Sequence, residues 1–71
     1  MKQIDRMPRK GEHIIFNSKG MFPESDNIEY VVIEKFKNYD EILNIQNIKT
    51  ESRTQVIVKF KEGYNKYLYF L

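Results

Sequence analysis

The chain has no cysteine, no alanine and only three leucines among its 71 residues. Without cysteine there is no disulfide scaffold, no zinc knuckle and no thiol nucleophile. Alanine and leucine are the best helix formers, and nine isoleucines and four valines stand in their place. β-Branched side chains suit a pleated, half-buried surface, so composition alone leans towards strands. No apolar run approaches the ~20 residues of a membrane helix. No apolar stretch follows Lys2 and Arg6, so the N-terminus does not read as a signal peptide. A soluble cytoplasmic protein without a membrane partner is expected. The richness in Ile, Asn and Lys points to an AT-rich coding genome.

Chemistry is equally sparse. Gly11, Gly20 and Gly63 lie far apart, so there is no glycine-rich phosphate loop. His13 is the only histidine and falls in a predicted strand with no nucleophile motif beside it. Ser18, Ser25 and Ser52 sit in turn-like surroundings, where hydroxyls serve the backbone. Glu24, Asp26 and Glu29 put three acids within six residues. A calcium loop needs alternating ligands and a glycine for its sharp turn, which this segment lacks. No enzyme activity, no metal and no cofactor are expected.

A chain this short buries only ~60% of its unfolded surface, so it forms one domain of small stability. Ten aromatic side chains partly compensate. A homo-oligomer would supply further buried surface. The formal net charge is +2. It is unevenly spread. Residues 1–10 carry four basic and one acidic side chain (+3), residues 11–34 one basic and five acidic (−4), and residues 35–71 seven basic and four acidic (+3). An acidic middle folding against basic ends would largely cancel this field.

Residues 1–7 lack periodicity and read as a basic N-terminal arm or lead-in to a domain spanning 8–71. Lys2, Arg6, Arg9 and Lys10 give this end its charge and make it a candidate phosphate-contacting arm. Pro8-Arg9-Lys10-Gly11-Glu12 reads as a turn feeding a short strand, His13 to Phe16. Asn17 to Asn27 is a loop by its glycine, proline and Asx content. The apolar pair Met21-Phe22 within it is expected to fold back over one end of the core. Ile28 to Lys37 is the longest strand candidate. Its buried parity changes midway, the mark of a bulge or sharp bend. A turn at Asn38 to Glu41 follows. Residues 42–49 are ambiguous. Asp40 as N-cap with Ile42, Ile45 and Ile48 at three-residue spacing fits a short helix near 40–48. Three Asn or Gln residues and no alanine favour a strand.

The end of the chain reads as a β-hairpin. Gln55 to Glu62 alternates strictly, Gly63-Tyr64-Asn65 closes a loop, and Lys66 to Leu71 returns. One face would hold Val58, Phe60, Leu68 and Phe70. The other would set Lys61 against Tyr67 and Lys59 against Tyr69, with Lys35 and Lys37 alongside if the long strand is a neighbour. Aromatic platforms with nearby cations are how single-stranded nucleic acid is held. Lysine stems lying over tyrosine rings also simply solubilise an exposed face. The pattern leaves open whether Tyr67 and Tyr69 or Leu68 and Phe70 point inward.

The result is an all-β chain of five strands, a small barrel or strongly bent antiparallel meander, with α+β as the alternative. A turn such as Pro8 to Glu12 before an apolar strand, a long first connection and tight later ones resemble the SH3-like barrel, including small phage and mobile-element proteins of that build. The resemblance covers residues 8–71 in outline. Proteins of this fold bind peptides, proteins or nucleic acids, so the fold does not choose. It implies a non-catalytic protein-interaction module, such as a mobile-element protein docking on a host factor. Single-stranded nucleic-acid binding through the lysine–tyrosine face is the alternative.

Overall fold

The structure is a computed structural model that describes residues 1–35, 41–63 and 65–71. Six strands form one antiparallel sheet: β1 (Lys2–Gln3), β2 (His13–Phe16), β3 (Ile28–Lys35), β4 (Ile42–Asn47), β5 (Arg53–Ile57) and β6 (Leu68–Phe70). Their order across the sheet is β1-β6-β2-β3-β4-β5. Strands β2 to β5 are a simple meander. A 3-10 helix, Phe60–Glu62, leads from β5 to β6.

The bend read from parity in the long strand is present. Val32 pairs with Ile45, but Glu34 pairs with Asn44, so Ile33 is the extra residue of a bulge. The bulge keeps Val32 on the buried face while the strand turns. Residues 42–47 are strand, in agreement with their propensity. Side chains alternate across the sheet, and one face collects Ile14, Val32, Leu43, Ile45 and Leu68 with Ile4 and Val58 as the core. Phe16, Tyr30, Val56, Phe60 and Phe70 pack around it.

The C-terminal hairpin does not form. β5 pairs with β4, whereas β6 pairs with β2 and β1, three strands away in the sheet. Alternation fixes which face a side chain takes, not which strand lies beside it. Of the two faces the pattern left open, Val58 and Leu68 are the buried residues, while Phe60, Phe70, Tyr67 and Tyr69 are all half-buried. The strand ends at Ile57. Lys59 and Glu62 form an i,i+3 pair at 3.7 Å across the 3-10 turn. Gly63, at φ +74°, closes the turn by donating its N–H to the Phe60 carbonyl. A left-handed residue at this point suits glycine. Tyr64 of the expected loop lies outside the described residues, as do Phe36, Lys37 and most of the turn at 38–41.

Residues 1–7 are built into the sheet and add a strand to the expected count of five. Lys2 and Gln3 pair with Phe70 and Tyr69. Ile4 donates its N–H to the Leu68 carbonyl, and its own carbonyl accepts from the Asn65 amide at 2.6 Å. The Ile4 side chain is fully buried.

A detachable arm and a core element respond differently to truncation. Ile4→Ala is expected to cost roughly 2–5 kcal/mol, as for other fully buried isoleucines. That is a large share of what so small a domain holds. The denaturation midpoint in urea measures it, and an unchanged midpoint would mean that Ile4 is dispensable.

Candidate functional site

The outer face of β6 and the loop from 17 to 27 meet in one aromatic cluster. Tyr67 precedes β6 and is tied to the sheet through its carbonyl, which accepts from Asn17 N–H at 2.8 Å. Its ring meets Phe16 edge-on at 5.7 Å and Phe22 edge-on at 6.3 Å. Edge-to-face packing at these distances is the favoured aromatic geometry. The Tyr67 hydroxyl donates to Met21 Sδ at 3.2 Å. Lys66 Nζ lies 5.0 Å from the centre of the Tyr67 ring, within cation–π range.

Met21 and Phe22 do not cover the core, contrary to expectation. They stay 63% and 50% exposed. The reason is that the loop fills its interior with its own polar groups. Asp26 Oδ1 accepts from both the backbone N–H and the hydroxyl of Ser18 at 2.6 Å, and Oδ2 accepts from Gly20 N–H at 2.8 Å. The Ser18 hydroxyl in turn accepts from Phe22 N–H at 2.7 Å. Ser18 is buried. These bonds, those from Ser18 foremost, hold the Asp26 carboxyl below its usual range. Asp26 is thus the loop's organiser, while Glu24 is exposed and Glu29 turns to His13. Glu29 Oε2 is 2.5 Å from His13 Nδ1 across the β2–β3 ladder. Among the described residues no cluster of three or more His, Asp or Glu side chains is placed to hold a metal ion. No helix there is long and apolar enough to cross a membrane.

The lysine–tyrosine face is not assembled. Tyr67 precedes β6 and Tyr69 lies within it, both half-buried, but Lys59 and Lys61 flank and occupy the 3-10 helix. Lys59 is drawn to Glu62. Lys35 ends β3 and Lys37 is outside the described residues, so neither contributes a described side chain. The cations that do accompany the tyrosines are Lys66 and Lys19. Lys19, Met1, Asn17 and Tyr69 line a shallow depression of about 290 Å³. Of these residues the sequence singled out only Tyr69. Phe16 and Phe22 were missed as partners of Tyr67 because their contacts join three separate segments. The unusual signal was Met21-Phe22 itself, an apolar pair in a polar loop.

The basic N-terminus is largely engaged. Lys2 pairs with Asp5 at 3.1 Å. Arg6 makes a two-pronged contact with Glu12, at 2.7 and 2.8 Å, and its guanidinium lies 4.5 Å from the centre of the Phe70 ring. Glu12 also accepts from Arg9 N–H at 2.6 Å. Arg6 first and the Arg9 N–H second hold the Glu12 carboxyl down at about 2 from its ordinary 4.5. Arg6 is therefore a clamp between the first turn and β6. Arg9 and Lys10 sit in the exposed turn itself.

Two outcomes follow from this wiring. Because the folded Glu12 titrates below its unfolded value, its stabilisation is present above about pH 4.5 and disappears as the pH falls towards 2. Glu12→Gln should lower the melting temperature at neutral pH and flatten its decline in that acid window. Asp26→Ala should leave the sheet folded but release the loop, seen as loss of Phe22–Tyr67 ring cross-peaks in nuclear Overhauser spectra. Retention of those cross-peaks would mean that the aromatic contacts alone hold the loop. Compared with protein-family models, with curated proteins and with solved structures, the chain matches none.

Proposed function

We propose that this chain is a non-catalytic protein-interaction module of SH3-like build. The build is supported by the β2-to-β5 meander, the 3-10 helix after it, and a last strand that returns to pair with β2, the strand that opens the meander. The observation that carries the function is the platform of exposed Met21 and Phe22 on half-buried Tyr67, rimmed by Lys19 and Lys66. Aromatic and methionine side chains are enriched where proteins meet, and lysines at the rim steer acidic partners. The platform is also held rigid, through Asp26 and Ser18 beneath it, so little ordering is needed on binding.

Single-stranded nucleic acid remains the second reading, but its support has narrowed. It now rests on Tyr67 and Tyr69 with Lys19 and Lys66, since the hairpin face that would have added Lys59 and Lys61 is absent.

Selection from a displayed library of short peptides and protein fragments tests the first reading. Binders should emerge, and Phe22→Ala and Tyr67→Ala should each weaken them by roughly tenfold or more, the scale of an interface hot spot. Binders that ignore both changes, or none at all from folded protein, would overturn it. Mobility shifts with single-stranded oligonucleotides at two salt concentrations test the second. A shift that vanishes as salt rises and weakens in Tyr67→Ala would favour nucleic acid instead.

A further inference from the structure

Strand β5 is an open edge of the sheet. Its sequence is Arg53-Thr54-Gln55-Val56-Ile57, and Val58 extends it. Thr54 to Val58 is uncharged, rich in β-branched residues and free of glycine and proline. The usual guards of an edge strand, a mid-strand lysine, a proline or a bulge, are missing from it. Arg53, Thr54, Gln55 and Ile57 are exposed, Ile57 by 54%. The opposite edge, β1, is only two residues long.

The backbone of β5 dictates what could pair there. In the β4–β5 ladder Ile42 lies opposite Ile57 and Gln46 opposite Arg53. Extending that register, Asn47 N–H donates to the Ser52 carbonyl and Val58 N–H to the Glu41 carbonyl. Hydrogen-bonded pairs alternate along an antiparallel ladder, so Ser52, Thr54, Val56 and Val58 turn their backbone groups towards β4. Arg53, Gln55 and Ile57 therefore turn theirs outward. Among the described residues nothing accepts or donates to them.

We infer that a second copy of this chain pairs antiparallel with β5, about a two-fold axis at Gln55. That register sets Gln55 against Gln55 of the second copy and Arg53 against its Ile57, and the reverse. Every one of these pairs joins residues whose N–H and carbonyl already point outward. It also brings Glu51 of each copy towards Lys59 of the other, so opposite charges meet at both ends. Neighbouring registers that keep the backbone parity do worse. Moving the axis to Thr54 sets Glu51 against Ile57 and loses both charge pairs, and moving it to Val56 opposes Arg53 to Lys59. Like charges directly across a ladder are destabilising. The Arg53 stem would cover Ile57, the most exposed apolar side chain of the sheet. The two-fold contact closes on itself and stops at a dimer.

Sedimentation equilibrium of the full chain, from low micromolar to millimolar concentration, tests this. A monomer–dimer equilibrium is expected, with Gln55 and Ile57 amides exchanging more slowly as concentration rises. Gln55→Lys places like charges at the axis and should weaken the dimer roughly tenfold, as should Glu51→Lys or Lys59→Glu alone. The double exchange, Glu51→Lys with Lys59→Glu, should restore it. Thermal melts of each variant at low concentration separate loss of dimer from loss of fold. A monomer at every concentration, or a dimer in which the charge exchange rescues nothing, overturns the pairing. Neither result bears on the aromatic platform, which shares no residue with β5.

Discussion

The rest of the structure depends on the insertion of β6 between β1 and β2. The strand is three residues long, yet it is bonded on both sides. Phe70 lies between Lys2 and Ile14, and Tyr69 between Gln3 and Ile15. Its flanks extend the ladder, with the Tyr67 carbonyl receiving Asn17 N–H and Leu71 donating to His13. Leu68 thereby reaches the core with Phe70 packed against it, while Tyr67 and Tyr69 stay half-buried. The two ends of the chain and β2 become one ladder, and Arg6 locks them from outside by gripping Glu12 while lying against Phe70. A bidentate arginine–carboxylate contact is worth more for its geometry than an ordinary surface pair.

That insertion also creates the candidate site. Tyr67 can meet Phe16 only because β6 lies beside β2, and it can meet Phe22 only because the loop after β2 is closed by Asp26. Neither step involves a buried charge or an unsatisfied group; buried polar side-chain atoms among the described residues all have partners. The exposed rings are thus carried on a network that is complete without them. Exposed Phe22 and Met21 gain little for folding where they are, and a rigid apolar surface kept in water is a cost that binding would remove.

Local pattern reached the sequence intact; pairing did not. Composition and alternation found β2, β4 and the bend in β3, because β-branched spacing and parity are properties of neighbouring residues. They also put Val58, Phe60, Leu68 and Phe70 on one face, without deciding whether that face is the buried one. They joined β5 to β6 as a hairpin, since nothing in Gln55 to Leu71 distinguishes a tight return from a 3-10 turn followed by a crossing to β2. Gly63 served either reading. Ile4 was hidden for the same reason: a single isoleucine among charged residues has no period, and its burial is set by Leu68, far along the chain. In the site, Tyr67 and Tyr69 were legible as a pair sharing one face, while the companions of Tyr67 came from the loop, from Phe16 and from Lys66.

The two surfaces lie in different parts of the sheet, and this has a consequence for binding. The platform belongs to β6 and the loop after β2, whereas β5 is separated from β6 by β2, β3 and β4. Pairing through β5 buries none of Met21, Phe22 or Tyr67. A dimer so formed displays two platforms at a fixed spacing, related by the two-fold axis. A small platform of this kind has limited affinity by itself, because few side chains contribute. Two platforms held rigidly would convert a second contact into an intramolecular event on any partner with repeated or two-fold sites. For a domain with so small a core, the same strand pairing would extend the sheet and raise binding strength without adding a residue.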